Sequence, residues 1–224
     1  MLLLVRRTFR RFPPKLALAT AVLLTLATGY GDAPRAEPGP DPTGAVHVNR
    51  PGSPPATSSL PGTSLYHLDA TWTDSHGASF QLADLRGHPV LITMIYASCE
   101  TACPILVRDA ARTFGALPPE VQDDTRVLIV SFDPERDAPA RLARYVREND
   151  LDDPRWRFAV GAPHDTRALA ALLGVRYRPA GNGMFSHSNL ITVLDGDGVP
   201  SHRTEGLGRP VTPAIRAIEA AWDE

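Results

Sequence analysis

The sequence has no excess of charge of either sign, very few cysteines and no hydrophobic run of membrane-spanning length. Its 224 residues include 23 basic and 25 acidic side chains. It therefore lacks the broad positive field that nucleic-acid-binding proteins use, and no motif for binding RNA or DNA is present. The apolar run at residues 16–28 is short of the ~20 residues that a membrane span needs. We expect no nucleic-acid partner.

The only two cysteines are Cys99 and Cys103, with three residues between them. A structural disulfide contributes most when it closes a long loop, and this pair would close a very small one. A redox-active or metal-binding pair is therefore the better interpretation, especially in an exported protein.

The N-terminal 31 residues have the pattern of an export signal. Basic side chains at 6–15 precede the apolar run 16–28, and residues 27–29 are small enough for a cleavage site. Tyr30 stands where a lipoprotein would carry its lipidated cysteine. Residues 1–31 are expected to be a signal peptide or an N-terminal membrane anchor. The expected location is the periplasm, with the protein either soluble or held at the inner membrane.

Residues 32–61 contain eight prolines and no apolar periodicity. Such a segment cannot bury enough apolar surface to fold alone, so we predict a Pro-rich disordered tether. Residues 62–224 are predicted to form the folded domain. Contact with the membrane is expected only through the N-terminal segment.

Strand and helix patterns alternate along the predicted domain. Strands are predicted at 70–73, 79–82, 90–96, 127–132, 156–160, 190–194 and 199–204. Helices are predicted around Cys103–Phe114, from a cap at Asp137, from a cap at Asp165 or Thr166 as far as Gly174, and from Thr212. An N-terminal hairpin, parallel crossovers and a closing antiparallel hairpin follow in that order. This order predicts an α/β, thioredoxin-like fold with a central mixed sheet flanked by helices and an N-terminal hairpin extension.

The two cysteines lie in the segment YASCETACP (96–104), between a predicted buried strand and a helix. Sites in α/β sheets form at the carboxyl ends of strands, and backbone N–H groups at a helix start favour thiolates. Thiolates are soft ligands that select Cu(I) or Zn(II) over calcium or magnesium. The other interpretation is a thioredoxin-type redox pair, although that pair normally has two intervening residues rather than three.

Two sulfurs make an incomplete metal site, so a third ligand is expected among the seven histidines. His187 immediately precedes the predicted strand 190–194, in a loop that a thioredoxin-like topology places opposite the cysteine loop. His164 and His202 remain alternatives from spacing alone.

Three segments, in this order and spacing, resemble the Sco/SenC family of copper-binding assembly proteins. They are YASCETACP (96–104), SFDPERDAP (131–139) and FSHSNLITVLDGDG (185–198). The resemblance implies a thioredoxin-like fold and a copper site, for Cu(I) or Cu(II), made by Cys99, Cys103 and His187.

The resemblance also implies a metallochaperone rather than an enzyme acting on a small substrate. Its expected partners are a cytochrome oxidase subunit, or another copper or thiol client, and a periplasmic copper donor. A thiol–disulfide oxidoreductase that reduces client cysteines before metallation is the alternative, with Cys99 and Cys103 as its redox pair. His187 discriminates between the two functions, because disulfide exchange does not require it.

Two acidic residues, Asp133 and Asp137, follow the second predicted buried strand. They are expected either to form a turn and cap the next helix or to support the site and dock a partner. Glu100 is expected in the cysteine loop. Met184 is expected in the loop before His187, as a loop residue rather than a metal ligand.

Overall fold

The computed structural model describes residues 59–224. The predicted signal or anchor (1–31) and all but the last residues of the predicted tether (32–61) lie outside this range. Among residues 59–224, no helix is both long and apolar enough to cross a membrane.

Nine strands are present among the described residues. They are β1 (Trp72–Asp74), β2 (Ser79–Phe80), β3 (Val90–Ile95), β4 (Arg126–Ser131), β5 (Trp156–Gly161), β6 (Tyr177–Gly181), β7 (Met184–His187), β8 (Leu190–Leu194) and β9 (Pro200–Glu205). Seven of them form one sheet in the order β2-β1-β5-β4-β3-β8-β9, and β6 pairs with β7 in a separate two-stranded sheet.

The strand pairing confirms the predicted central mixed sheet. β3 pairs in parallel with β4, and β4 with β5. β8 runs antiparallel to β3, and β1 runs antiparallel to β5. Every residue of β3 and β8 is buried, which is why these strands read as continuous apolar runs. β9 alternates between half-buried and exposed residues, as a sheet edge with one covered face should.

Five α-helices flank the sheet in the described part of the chain. They are α1 (Ala102–Gly115), α2 (Pro119–Asp124), α3 (Pro139–Glu148), α4 (Pro163–Leu173) and α5 (Thr212–Asp223). α5 packs against α1, α2, β8 and β9, whereas α3 and α4 pack against β5. The predicted inward face of α1 is confirmed, since Cys103, Val107, Ala110 and Phe114 are all buried.

The predicted caps of α3 and α4 are wrong. Each helix begins with a proline, a residue that suits the first helical position because its missing N–H has no partner there. The N-cap residues are Ala138 and Ala162, without a capping side chain. Asp165 lies in the first turn of α4, and Thr166 is buried further along it. Gly174 ends α4 with φ of 81°, as predicted.

The hairpin of β6 and β7 was not predicted from the sequence. Its first strand is mostly exposed and contains Pro179, so it lacks the alternation of apolar and polar residues that identifies strands. The consequence is that His187 is the last residue of a strand rather than part of an irregular loop.

Candidate metal centre

The first cysteine lies in the turn that leaves the central sheet. β3 ends at Ile95, and the N–H of Cys99 donates a hydrogen bond to the carbonyl of Tyr96 at 3.1 Å. This closes a tight turn at the carboxyl end of a fully buried strand. The Cys99 side chain is buried, so the turn directs its sulfur towards the protein rather than towards solvent.

The second cysteine lies in the first turn of α1. The helix has no side-chain cap at Thr101, and the N–H of Cys103 donates instead to Cys99 Sγ at 3.4 Å. The next residue is Pro104, which has no N–H to satisfy. The sulfur of Cys99 therefore takes over part of the capping role at a helix end that favours negative charge.

His187 approaches the cysteines from the end of β7. Its Nε2 atom lies 3.7 Å from Cys103 Sγ. Its Nδ1 atom lies 3.2 Å from the carbonyl oxygen of Ser188, which can only accept a hydrogen bond. Nδ1 is therefore the donor in this contact, and in a neutral imidazole with that tautomer the lone pair belongs to Nε2, the nitrogen next to the sulfur.

The candidate ligand atoms of Cys99, Cys103 and His187 all lie within 4.8 Å of one another. Metal–sulfur bonds of about 2.3 Å and metal–nitrogen bonds of about 2.0 Å put a sulfur and a nitrogen roughly 3.5–3.7 Å apart on one ion at tetrahedral to trigonal angles. The separation of 3.7 Å between Cys103 Sγ and His187 Nε2 falls in that interval. Two soft sulfurs and one imidazole therefore fit a thiophilic metal ion in both chemistry and spacing.

The alternative histidines do not join the cysteines. Within residues 59–224, the Cys99, Cys103 and His187 group is the single cluster of three His, Cys, Asp or Glu side chains with this spacing. His164 is exposed at the start of α4 and lies 3.1 Å from Asp165. His202 contacts Thr204 within β9.

The two thiols differ in acidity. Burial favours the neutral form of Cys99, but the N–H groups of Cys103 and Thr101 more than offset it and lower the pKa of the Cys99 thiol to about 6. Burial raises the pKa of the Cys103 thiol instead. In the metal-free protein near neutral pH, Cys99 is the thiolate and Cys103 is the thiol.

Aromatic side chains surround His187. Its ring lies 5.2 Å from that of Phe132 and 5.9 Å from that of Tyr96, between centroids, the latter edge to face. Phe185 packs against both of these rings at 5.4 and 5.3 Å, and Tyr177 stacks on Phe132 at 4.8 Å. These residues were not predicted as parts of the site. Tyr96, Phe132 and Phe185 lie within the three motifs, but the contacts that bring them around His187 join distant segments and leave no pattern in the sequence.

Two acidic residues of the 131–137 segment lie beside this centre and are almost fully buried. Asp133 forms the expected turn, with its carbonyl accepting from the N–H groups of Arg136 and Asp137, and its side chain pairs with Arg136 at 2.5 Å. Asp137 is 0% exposed and does not cap α3. Glu100 is exposed in the cysteine loop, and Met184 is 56% exposed at the start of β7.

Comparison with known proteins identifies one matching family model. The model described as SCO1/SenC matches residues 63–222. A SCO1 protein homolog of Bacillus subtilis is 26% identical over 131 residues, which are 57% of this chain and 67% of that protein. The regions matched in relatives from Stutzerimonas stutzeri and Rickettsia typhi cover 62% and 63% of those proteins, less than two thirds of their length.

Solved structures share the fold. A structure from Aquifex aeolicus, described as that of a candidate electron transfer protein, is 27% identical with a TM-score of 0.66, over 74% of this chain and 96% of that one. ScoI of Bradyrhizobium japonicum, solved with copper bound, is 25% identical with a TM-score of 0.54, over 68% of this chain and 96% of that one.

Proposed function

The chain belongs to the SCO1/SenC family, and from this premise we propose that it binds one copper ion through Cys99, Cys103 and His187. We propose further that it is a metallochaperone, which carries copper as cargo to a client's copper centre. The observation that carries the proposal is the convergence of two sulfurs and one imidazole nitrogen within 4.8 Å.

The ligand types favour copper. Two thiolates and a neutral imidazole are soft to intermediate donors that suit three-coordinate Cu(I), and a fourth ligand such as water would admit Cu(II). Because Nδ1 of His187 donates to a backbone carbonyl, the imidazole is oriented for binding through Nε2. The copper-bound relative from Bradyrhizobium japonicum supports this choice of metal.

Delivery requires that a client reach the bound ion. Cys99 and Cys103 are buried, whereas His187 is only half-buried, so the histidine side is the accessible side of the centre. A client thiol would enter there and share the ion before the chaperone's ligands release it. The family resemblance makes a subunit of a respiratory oxidase the proposed client, and a periplasmic copper donor would load the site.

The proposed location is the periplasm, with the protein soluble or held by its N-terminal segment. The support is the sequence pattern of residues 1–31, a basic region followed by an apolar run. Copper transfer between exported proteins is consistent with that location.

Anaerobic loading with Cu(I) and Cu(II) tests the function. We expect one copper per chain in wild type, and a thiolate-to-Cu(II) absorption band that is absent from Cys99→Ser and Cys103→Ser. We expect His187→Ala to weaken copper binding by more than the roughly tenfold to hundredfold that loss of a residue supporting a ligand costs, because it removes a ligand itself.

The matched control is His164→Ala, which removes an exposed histidine paired with Asp165 and should leave copper binding unchanged. Tight zinc binding without a stable copper complex in wild type would contradict the proposal, as would wild-type copper affinity in His187→Ala.

The different acidities of the two thiols favour a second candidate function, a thiol–disulfide oxidoreductase. The Cys99 thiolate would attack one sulfur of a client disulfide, form a mixed disulfide and release the other client sulfur as a thiolate. Cys103, after losing its proton, would then attack Cys99 Sγ, form the Cys99–Cys103 disulfide and release the second client thiolate. The client gains the two electrons that the cysteine pair loses. Disulfide reductase activity retained in His187→Ala, alongside weakened copper binding, would separate the two roles.

A further inference from the structure

A fully buried carboxylate, that of Asp137, lies between the end of β4 and the start of α3. Its place in the sequence just before α3 suggests a helix cap, but the N-cap residue is Ala138 and α3 has no side-chain cap. Burying a charged carboxylate is costly unless partners compensate. Because Asp137 does not cap the helix with a hydrogen bond, the partners of its carboxylate indicate what it does.

The carboxylate of Asp137 joins three segments of the chain. Its Oδ2 atom accepts a hydrogen bond from the N–H of Ala97 at 2.8 Å and another from the hydroxyl of Ser131 at 2.6 Å. Its Oδ1 atom lies 3.2 Å from Arg141 Nε, an ion pair without a well-directed hydrogen bond. The bond to Ala97 spans 40 positions of sequence and connects the 131–137 segment to residues 96–99, which we call the cysteine turn.

Ala97 lies inside the turn that the Cys99 N–H closes on the Tyr96 carbonyl, two residues before Cys99. A backbone N–H bound to a charged acceptor is held more firmly than one bound to a neutral group. The hydrogen bond that the Ala97 N–H donates to Asp137 therefore fixes the backbone that carries the Cys99 sulfur.

The same segment also contacts the other side of the centre. Phe132 packs against the His187 ring. The guanidinium of Arg136 lies 5.4 Å from the centroid of Phe185, the residue two places before His187. A Cβ atom at Gly183 would lie 2.3 Å from Arg136 Nη1, so the hairpin carrying His187 lies directly against this side chain. The 131–137 segment thus contacts both the element with the cysteines and the element with the histidine.

We propose that Asp137 is a positioning residue, which holds the cysteine turn through the Ala97 N–H so that Cys99 Sγ stays at binding distance from Cys103 and His187. The inference rests on the proposed copper site. It assigns to Asp137 a role in arranging that site, without contact with the metal.

The test compares Asp137→Ala and Asp137→Asn with Asp74→Ala. Asp74 is a matched control, because it is a buried aspartate that accepts two backbone hydrogen bonds, from His76 and Ala78, in the β1–β2 turn. Hydrogen exchange at the Ala97 amide is measured in the metal-free protein. Copper affinity is measured by competition with a Cu(I) chelator.

Asp137→Ala should speed exchange at Ala97 and weaken copper binding by about tenfold or more. Compared with Asp137→Ala, Asp137→Asn should recover most of the protection of the Ala97 amide from exchange and most of the copper affinity. The reason is that its amide oxygen can accept from the same N–H. Asp74→Ala should lower the free energy of unfolding and leave copper affinity unchanged. Wild-type exchange at Ala97 and wild-type copper affinity in Asp137→Ala would overturn the inference.

The two proposals fail in different ways. If wild type binds no copper, the proposed function fails, and exchange at Ala97 in the metal-free variants still decides whether Asp137 holds the turn. If Asp137→Ala does not fold, Ser131→Ala replaces it, because it removes one hydrogen bond to the carboxylate, together with the bond that Ser131 Oγ accepts from the Asp133 N–H. Faster exchange at Ala97 and weaker copper binding, each by less than is expected for Asp137→Ala, then support the inference. Unchanged exchange and unchanged copper affinity overturn it.

Discussion

At the scale of single residues, the cysteine pair shows that local hydrogen bonds can outweigh the effect of burial on the pKa of a thiol. Both sulfurs are buried, and burial alone favours neutral thiols. At Cys99 the backbone N–H groups of Cys103 and Thr101 help to outweigh burial, whereas at Cys103 burial outweighs the single backbone hydrogen bond, from Tyr96. The turn and the first turn of α1 therefore make one sulfur anionic and leave the other protonated.

This asymmetry predicts the pH dependence of the metal-free protein. In Cys103→Ser, which leaves Cys99 as the single thiol and keeps the backbone N–H donors, the ultraviolet absorbance of the thiolate should rise with a midpoint well below the 9.0 of an ordinary cysteine, towards the value of about 6 in the intact pair. Because folding lowers the pKa of Cys99, its thiolate stabilises the folded protein. This contribution to the free energy of unfolding is complete above pH 9.0 and is lost as pH falls towards about 6. A thiolate midpoint at the ordinary cysteine value would contradict this account.

Residue types and spacing identified part of the site before the structure did. The cysteine pair was recognisable from its position after an apolar strand. His187 could not be separated from His164 and His202 by spacing, because the contact between Cys103 and His187 spans 84 positions. The sequence left two roles open for Asp137, capping the next helix or supporting the site. The structure shows no side-chain cap on α3, and the carboxylate accepts hydrogen bonds from Ala97 and Ser131.

At the scale of secondary-structure elements, the sequence was most informative where burial was complete. β3, β4 and β8 were predicted from continuous apolar runs, and the structure confirms them within one residue. The β6–β7 hairpin, which carries His187, was missed because its first strand has little buried surface. Strand patterns record burial, so an exposed hairpin leaves little trace in the sequence.

The packing of β5 against β1 provides a test at this scale. A Cβ atom added at Gly161 would lie 2.5 Å from Cζ3 of Trp72, a ring that is 0% exposed. Gly161→Ala should therefore lower the free energy of unfolding by about 1–3 kcal/mol, as overpacking of a core does. Denaturant unfolding of the metal-free protein measures this change.

The control for that substitution is Gly115→Ala at the end of α1, where an added Cβ atom meets no other atom within 4 Å. Alanine favours the helix over glycine, so this variant should be as stable as wild type or slightly more stable. Equal unfolding free energies for the two variants would show that Trp72 does not pack as described.

At the scale of the whole molecule, the central sheet brings the parts of the centre together. The cysteine turn follows β3, the 131–137 segment follows the neighbouring parallel strand β4, and His187 precedes β8 on the other side of β3. Because the carboxyl ends of parallel strands share one edge of a sheet, and β8 runs antiparallel to β3 and begins at that edge, three segments distant in sequence meet there.

X-ray absorption spectroscopy at the copper edge of the Cu(I)-loaded protein reads the ligands of the ion directly. We expect two sulfur neighbours at about 2.3 Å and one nitrogen neighbour at about 2.0 Å, with the nitrogen lost in His187→Ala and both sulfurs retained. A copper ion without sulfur neighbours, or a coordination shell that His187→Ala leaves unchanged, would contradict the proposed copper site.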